Sequence, residues 1–288
     1  MNARWLVVMA AVPAAALAYY NFAPLDPLAS FDQAREATPH AVRADFHLGY
    51  GRAGSYFDAD GAVQGLDEAN TFFLGVARVG WTFDRTWEAD LVIPGVNVHN
   101  RVAGADDFAS GLGDVWLAGK AVWYTKEGGE FRMGPRLAFR FPSAEGGPIG
   151  DKNMGIDVAA IGYWEMRGRH FRLDAQLGLR HDGDSDHFRE TPGMSLYLLA
   201  DPAWALDEEE RWIAGASVGG YAGAGTVQTD LLWLGPRLQY VIDENVRLEA
   251  GFLFPLMGTS YAIDGFAYNV PRYATGYLGV QSVIPTPW

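Results

Sequence analysis

Arg132, Arg136 and Arg140 recur at every fourth position in a run that otherwise reads Phe-x-Met-x-Pro-x-Leu-x-Phe-x-Phe. In an extended strand successive side chains point to opposite faces, so this spacing stacks three guanidinium groups on one side. Such a ladder could orient a polar or anionic solute. Two other groups of residues have the right types for chemistry. The segment His181-Asp182-Gly183-Asp184-Ser185-Asp186-His187 alternates carboxylates, as the first half of a Ca²⁺-binding loop does. It lacks the sixth-position glycine and the distal Glu of that motif, so Asp182, Asp184 and Asp186 are read as a solvated acidic loop rather than a metal site. The six histidines, His40, His47, His99, His170, His181 and His187, could supply a Ser–His hydrolase, but none stands in a His-x-Ser pattern. No catalytic residue and no cofactor is assigned.

The elements that carry these residues read as β-strands. Apolar and polar residues alternate near 41–50, 70–83, 86–97, 111–124, 130–141, 154–166, 170–181, 192–204, 211–222, 230–241, 245–256 and 272–283. The links between them alternate in length. Short polar links such as Asp84-Arg85-Thr86, Arg167-Gly168-Arg169 and Asp243-Glu244-Asn245 follow the even runs. Longer ones rich in Gly, Asp and Ser follow the odd runs, at 51–69, 98–110, 142–153, 182–191, 223–229 and 257–271. A soluble sandwich has no reason to keep that rhythm, whereas an outer-membrane barrel has short periplasmic turns and longer extracellular loops. The expected fold is therefore all-β: a transmembrane, antiparallel, up-and-down β-barrel of about twelve strands. Trp and Tyr at the strand ends (Trp81, Trp87, Trp123, Tyr124, Tyr163, Trp164, Trp204, Trp212, Tyr240) have the placement of an interfacial girdle.

Composition agrees with this reading. The 288-residue chain has no Cys, 35 Gly and 14% aromatics. Its mean hydropathy is near zero, as expected when only alternate residues of each strand meet lipid. The net charge of -13 argues against nucleic acid, whose recognition needs clustered Lys and Arg. At the N-terminus, Arg4, the apolar run Trp5 to Leu17 and the small residues Ala14 to Ala18 follow the grammar of a secretory signal peptide. The expected organisation is a signal peptide over 1–18, a periplasmic segment over 19–40 with a helical turn or two at Ser30–Ala37, and a barrel over 41–288. Delivery to the outer membrane of a Gram-negative cell follows, with the barrel assembly machinery, outer-membrane lipid and lipopolysaccharide as partners.

Energetic cost decides which face of each strand lines the lumen. An Arg facing lipid at mid-bilayer costs about 2–4 kcal/mol, so the ladder of 130–141 must point inward. The same parity gives the lumen-lining set Arg43, Asp45, Arg78, Asp90, Asp114, Lys120, Arg132, Arg136, Arg140, Asp157, Arg172, Asp174, Arg180, Arg237, Arg247 and Glu249, with Glu88, Glu165 and Asp201 on the same faces. Cations and anions nearly cancel. Either they interlock across a closed interior, or they line a selective path. Twelve strands lie between barrels filled by side chains and open porins, so size does not decide.

The succession Ser110-Gly111-Leu112-Gly113-Asp114-Val115-Trp116, then Phe139-Arg140-Phe141-Pro142, then Gly146-Gly147-Pro148-Ile149-Gly150-Asp151 resembles the outer-membrane barrel family named for the meta-pathway of phenol degradation. The resemblance covers roughly residues 70–260. It implies a transporter for small aromatic or hydrophobic compounds, with no catalytic residues to carry over. This chain departs from the family at Pro142-Ser143-Ala144-Glu145, where a Pro-Thr-Gly-like loop is usual. Its Ile284-Pro285-Thr286-Pro287-Trp288 end is an unusual assembly signal, because two of its residues cannot donate ladder hydrogen bonds. The function expected is passive passage of small solutes through an outer-membrane channel. The alternatives are a largely closed structural barrel acting through its loops, and an outer-membrane lipid-modifying hydrolase.

Overall fold

The computed structural model describes residues 40–58, 60–84, 86–102, 105–124, 131–143, 154–166, 170–182, 194–224, 231–259, 261–263, 266–268 and 270–286. The expected signal peptide over 1–18, the expected helical turns at Ser30–Ala37, and Asp184 and Asp186 lie outside these residues, as does Trp288.

The wall is a closed, all-antiparallel barrel of twelve strand positions. In chain order they are β1 (Ala41–Phe57), β2 (Val63–Thr82), β3 (Trp87–Val102), an interrupted strand made of β4 (Ala105–Leu112), β5 (Val115–Ala121) and β6 (Trp123–Tyr124), then β7 (Phe131–Phe141), β8 (Gly155–Met166), β9 (Phe171–Asp182), β10 (Met194–Ala205), β11 (Trp212–Ala224), β12 (Leu231–Val241) and β13 (Val246–Gly258). Beyond β13 come β14 (Tyr261–Ile263), paired to β15 (Phe266–Tyr268), and β16 (Val270–Pro271), paired to the tip of β1. The last wall strand is β17 (Ala274–Pro285).

Closure comes from β1, which pairs with β2 on one side and with β17 on the other, from Ala41↔Pro285 to Arg52↔Ala274. Through the belt β1, β2, β3, β5, β7 to β13 and β17 each pair on both sides, which is what a sheet in lipid requires, while among the described residues β4 pairs with β3 alone. The seam is clasped at its base: Thr82 Oγ1 accepts from the Ala41 N–H at 2.9 Å and donates to the Ala41 carbonyl at 2.9 Å. Past the last strand, the Thr286 N–H donates to the His40 carbonyl at 2.8 Å. Pro285 occupies the terminal pair of the ladder, where a missing donor matters least.

The exterior has apolar residues at mid-strand, among them Leu91, Leu117, Val158, Leu177, Leu198, Leu248 and Leu278, all exposed. A continuous apolar belt of this kind is stable against lipid and costly against water. At the short-turn end Trp81, Trp87, Trp123, Trp164, Trp204 and Trp212 are exposed as a girdle. Among the expected girdle residues whose side chains are described, Tyr163 is buried. It is 5% exposed and points inward, with the Arg132 guanidinium 5.2 Å from its ring centre.

Two expected loops prove to be mostly strand. Residues 51–57 and 63–69 extend β1 and β2, and only 58–62 lie between them. Likewise β3 continues to Val102 and pairs with β4, from Gly95↔Leu112 to Val102↔Ala105. Both hairpins rise past the apolar belt, where pairing continues but no residue has to meet lipid.

The paired motifs Gly134-Pro135-Arg136 and Gly235-Pro236-Arg237 each face a break in one neighbouring ladder. On β7, pairing passes from Lys120↔Arg136 to Trp123↔Met133 around Val122, which instead bonds to the Thr86 carbonyl at 2.8 Å. On β12, the register with β13 passes from Arg237↔Gly251 to Leu234↔Phe254. A proline without an N–H sits at each break, as ladder chemistry demands.

Candidate functional site

The interior divides into two layers. Nearest the short turns, the inward residues of β1, β2, β3 and β5 form one ion network. Arg43 Nε lies 2.8 Å from Asp45, Arg78 Nη2 2.5 Å from Asp90 and 3.3 Å from Glu88, and Lys120 Nζ 3.0 Å from Glu88. Longer contacts, Arg78 to Asp45 at 3.9 Å and Arg43 to Glu88 at 4.0 Å, tie the set together. Three cations face three anions. Across the barrel, Arg237 lies 3.9 Å from Glu249, which accepts from Gln239 at 2.6 Å, and Gln239 in turn accepts from Arg172 at 3.2 Å. Arg132, Asp174 and Asp201 are buried at this level, and Arg247 is half-buried.

Above this layer, toward the long connections, the inward face turns apolar. Phe72, Leu74, Val92, Val96 and Val98 from β2 and β3 join Trp116, Leu231, Trp233, Leu253 and Tyr277 in one buried cluster. The barrel wall itself makes room for the rings. Phe72 lies against Gly51, Tyr197 against Gly178, Trp233 against Gly219 and Tyr277 against Gly251, each where a Cβ on the glycine would enter the ring. Glycine on one strand thus seats an aromatic from the next, so the rings lie along the wall. At the far end Tyr273 packs edge-on to Phe72, with ring centres 4.9 Å apart.

One side of the upper layer carries charge. Asp157, 0% exposed, lies 3.0 Å from Arg136 Nη1 and 3.5 Å from Arg180 Nε, and it accepts from the Tyr197 hydroxyl at 2.9 Å. Asp114 lies 3.7 Å from Arg140 Nε. Trp116 sits between the two outer arginines, its ring centre 5.6 Å from the Arg140 guanidinium carbon and 5.4 Å from that of Arg180. Arg180 also reaches within 5.8 Å of the Tyr197 and Tyr221 ring centres, from strands on the other side of its own. Trp116 is 2% exposed, and its indole N–H has no hydrogen-bond acceptor among the described residues. Such a buried donor costs about 1–3 kcal/mol.

All sixteen residues expected on the inward faces have buried or half-buried places. The structure gathers Arg43, Asp45, Arg78, Asp90 and Lys120 into one network, Arg136, Asp157 and Arg180 into a second, and pairs Asp114 with Arg140. It leaves Asp182 at the end of β9. Among the described residues no three His, Asp or Glu stand close enough to hold a metal ion. Sequence reasoning missed the apolar layer and the glycine seats beneath it. The parity that places Arg78 inward also places Phe72, Leu74 and Val76 there, so the signal was present.

A family model described as "Putative MetA-pathway of phenol degradation" matches residues 53–264. No curated protein matches the sequence. Among solved structures, an outer membrane channel from Pseudomonas putida F1 is similar to this chain with a TM-score of 0.74 at 13% identity, over 88% of this chain and 99% of that one. The translocator domain of the autotransporter NalP from Neisseria meningitidis matches with a TM-score of 0.55 at 8% identity, over 92% and 96%. The NanC porin matches with a TM-score of 0.54 at 9% identity, over 83% and 98%. At these identities the likeness is one of fold, that of an outer-membrane barrel.

Proposed function

The chain belongs to the family described as "Putative MetA-pathway of phenol degradation", and on that premise we propose that it is an outer-membrane channel for passive passage of small apolar or aromatic solutes. The observation that carries this reading is the apolar, aromatic layer on the inner wall. A general porin keeps a polar, water-filled interior. An apolar inner wall raises the local concentration of solutes that leave water readily, and the ion networks below it exclude bare ions by charge and by packing. Location in the outer membrane after removal of residues 1–18 is part of the same proposal. The similarity to a solved outer membrane channel is in keeping with it.

A second reading, the largely closed structural barrel, is favoured by one observation. Arg78, Asp90, Lys120, Arg136, Arg140 and Asp157 are all buried, so the interior at their levels is filled by side chains. Planar-bilayer conductance and liposome uptake of a small aromatic such as benzyl alcohol separate the two. Uptake above that of empty liposomes supports the channel. Absence of both current and uptake at any voltage defeats it and leaves the closed barrel.

A further inference from the structure

We propose that the tip of the β1–β2 hairpin, together with β16, is a hinged lid at the mouth on the long-connection side, and that its Phe57 ring holds the place an aromatic solute takes on entry. The proposal rests on the channel reading for what passes the lid, and on separate geometry for the lid itself.

Both ladders of β1 break at one level. Toward β2, Ala53 pairs with Asn70 and the next pair is Ser55↔Gly65, so residues 66–69 stand against Gly54 alone. On the other side β17 pairs as far as Arg52↔Ala274, and β16 resumes at Tyr56↔Pro271, one residue out of step. A ladder with extra residues on one strand bends there. Gly54 lies at the bend, and a Cβ on it would meet nothing within 4 Å. Beyond the break the pieces hold to one another. β1 keeps its pairs with β2 out to Phe57↔Val63, and the Arg272 N–H donates to the Ser55 carbonyl at 2.8 Å. The tip and β16 therefore move as one body about the level of Gly54.

The tip leans across the neighbouring strand. Gly61 at its turn has a φ of 77°, and a Cβ there would lie 3.2 Å from the Gly258 carbonyl oxygen. Gly258 ends β13, which β17 separates from β1. Phe57 is 1% exposed and joins Ala53, Phe72 and Tyr273 in the apolar cluster. The Arg272 guanidinium carbon lies 5.1 Å from its ring centre. A benzene ring on an apolar wall beside a guanidinium makes contacts that a free aromatic solute can reproduce. Phe57 makes no directional bond through its ring, so such a solute can replace it.

Hydrogen exchange of the unaltered protein in detergent is the first test. The ladder amides of residues 55–57, 63–65 and 272 are expected to exchange at one common rate, at least about tenfold faster than those of Val42 to Gly51. Rates that climb steadily toward the turn show fraying, and rates equal to those of the wall show a rigid extension. Either result overturns the lid. The second test uses the absence of Cys from the chain. Thr275→Cys places a single thiol at a site 4% exposed, opposite Gly51 and below the bend. Benzyl alcohol is expected to speed its labelling by a maleimide several-fold, and an equal concentration of glucose to leave it unchanged. Adding Phe57→Ala should speed labelling with no solute present. A thiol that responds alike to benzyl alcohol and glucose overturns the shared seat, and one indifferent to Phe57→Ala overturns the latch. A lid that opens in both tests, on a protein that takes no benzyl alcohol into liposomes, stands while the channel falls. Uptake through a barrel whose tip exchanges like the wall does the reverse.

Discussion

The two interior layers of this barrel are built by the same strands yet solve opposite problems. β2 and β3 contribute Arg78, Glu88 and Asp90 to the layer near the short turns, and a few residues further on they contribute Leu74, Phe72, Val92 and Val96 to the layer above. In the lower layer Arg43, Arg78 and Lys120 are held by Asp45, Glu88 and Asp90, at distances down to 2.5 Å. On this side the upper layer is an apolar cluster, in which the Phe72 ring rests on Gly51. The contrast separates what holds the wall from what a solute meets. Ion networks far from water fix geometry and tolerate little change, because desolvated charges are costly once a partner is lost. Apolar rings have no required partner, and can shift when another apolar surface arrives.

Removing the centre of the lower network should have the largest effect. Arg78 touches Asp45, Glu88 and Asp90, so Arg78→Met leaves three buried acids with only Arg43 and Lys120 to balance them. Breaking a buried pair by losing one partner costs about 3–5 kcal/mol. The expected result is a fall of that order in unfolding free energy, read by urea titration of the refolded barrel in detergent. A change under about 1 kcal/mol would mean that water screens the network, and the contrast between the layers would collapse.

The lower layer was legible in the sequence, and most of the upper layer was not. An Arg cannot face lipid cheaply, so each of Arg43, Arg78, Arg132 and Arg172 announces which face of its strand is inward. Strand positions followed from the same alternation. Where both faces are apolar, as at Phe72-Phe73-Leu74, alternation vanishes and only parity carried over from Arg78 marks Phe72 as inward. Ring seats were harder still, since Trp233 and Gly219 are neighbours only through strand register. The extensions of β1 to Phe57 and of β3 to Val102 were hidden for another reason. Above the apolar belt both faces of a hairpin can be polar, so segments such as Arg52 to Ser55 read as loop.

The upper layer can be tested on its glycine seats. A methyl on Gly219 would enter the Trp233 ring, whereas one on Gly119 meets nothing within 4 Å. Gly219→Ala is therefore expected to cost about 1–3 kcal/mol by forcing the ring away from the wall. Gly119→Ala should stay within about 0.5 kcal/mol, as outlying surface changes do. Both are read by the same urea titration. A displaced Trp233 should also narrow the path, so Gly219→Ala should slow aromatic uptake where Gly119→Ala does not. Equal effects of the two would mean that the rings do not rest on the wall.

The smallest effect is expected where a similar set of carboxylate contacts meets water. At the turn between β1 and β2, Asp58 accepts from the Gln64 side-chain amide at 2.8 Å and from the backbone N–H groups of Ala62 at 2.8 Å and Asp60 at 3.0 Å. These bonds, with that from Gln64 foremost, hold its carboxyl below the usual carboxylate range. The sign follows from linkage. A group whose pKa is depressed on folding stabilises the fold above its unfolded value, about 3.9, and that contribution is lost as pH falls through the folded value. The tip should therefore stay unchanged from pH 7 down to about pH 5, and loosen only as the medium becomes more acid than about pH 4. The amide resonance of Ala62, followed by NMR against pH, should show its inflection below about 3.9, and Asp58→Asn should abolish it. An inflection at or above that value would mean that water has displaced these bonds, so that even three donors do not hold a carboxylate outside the barrel.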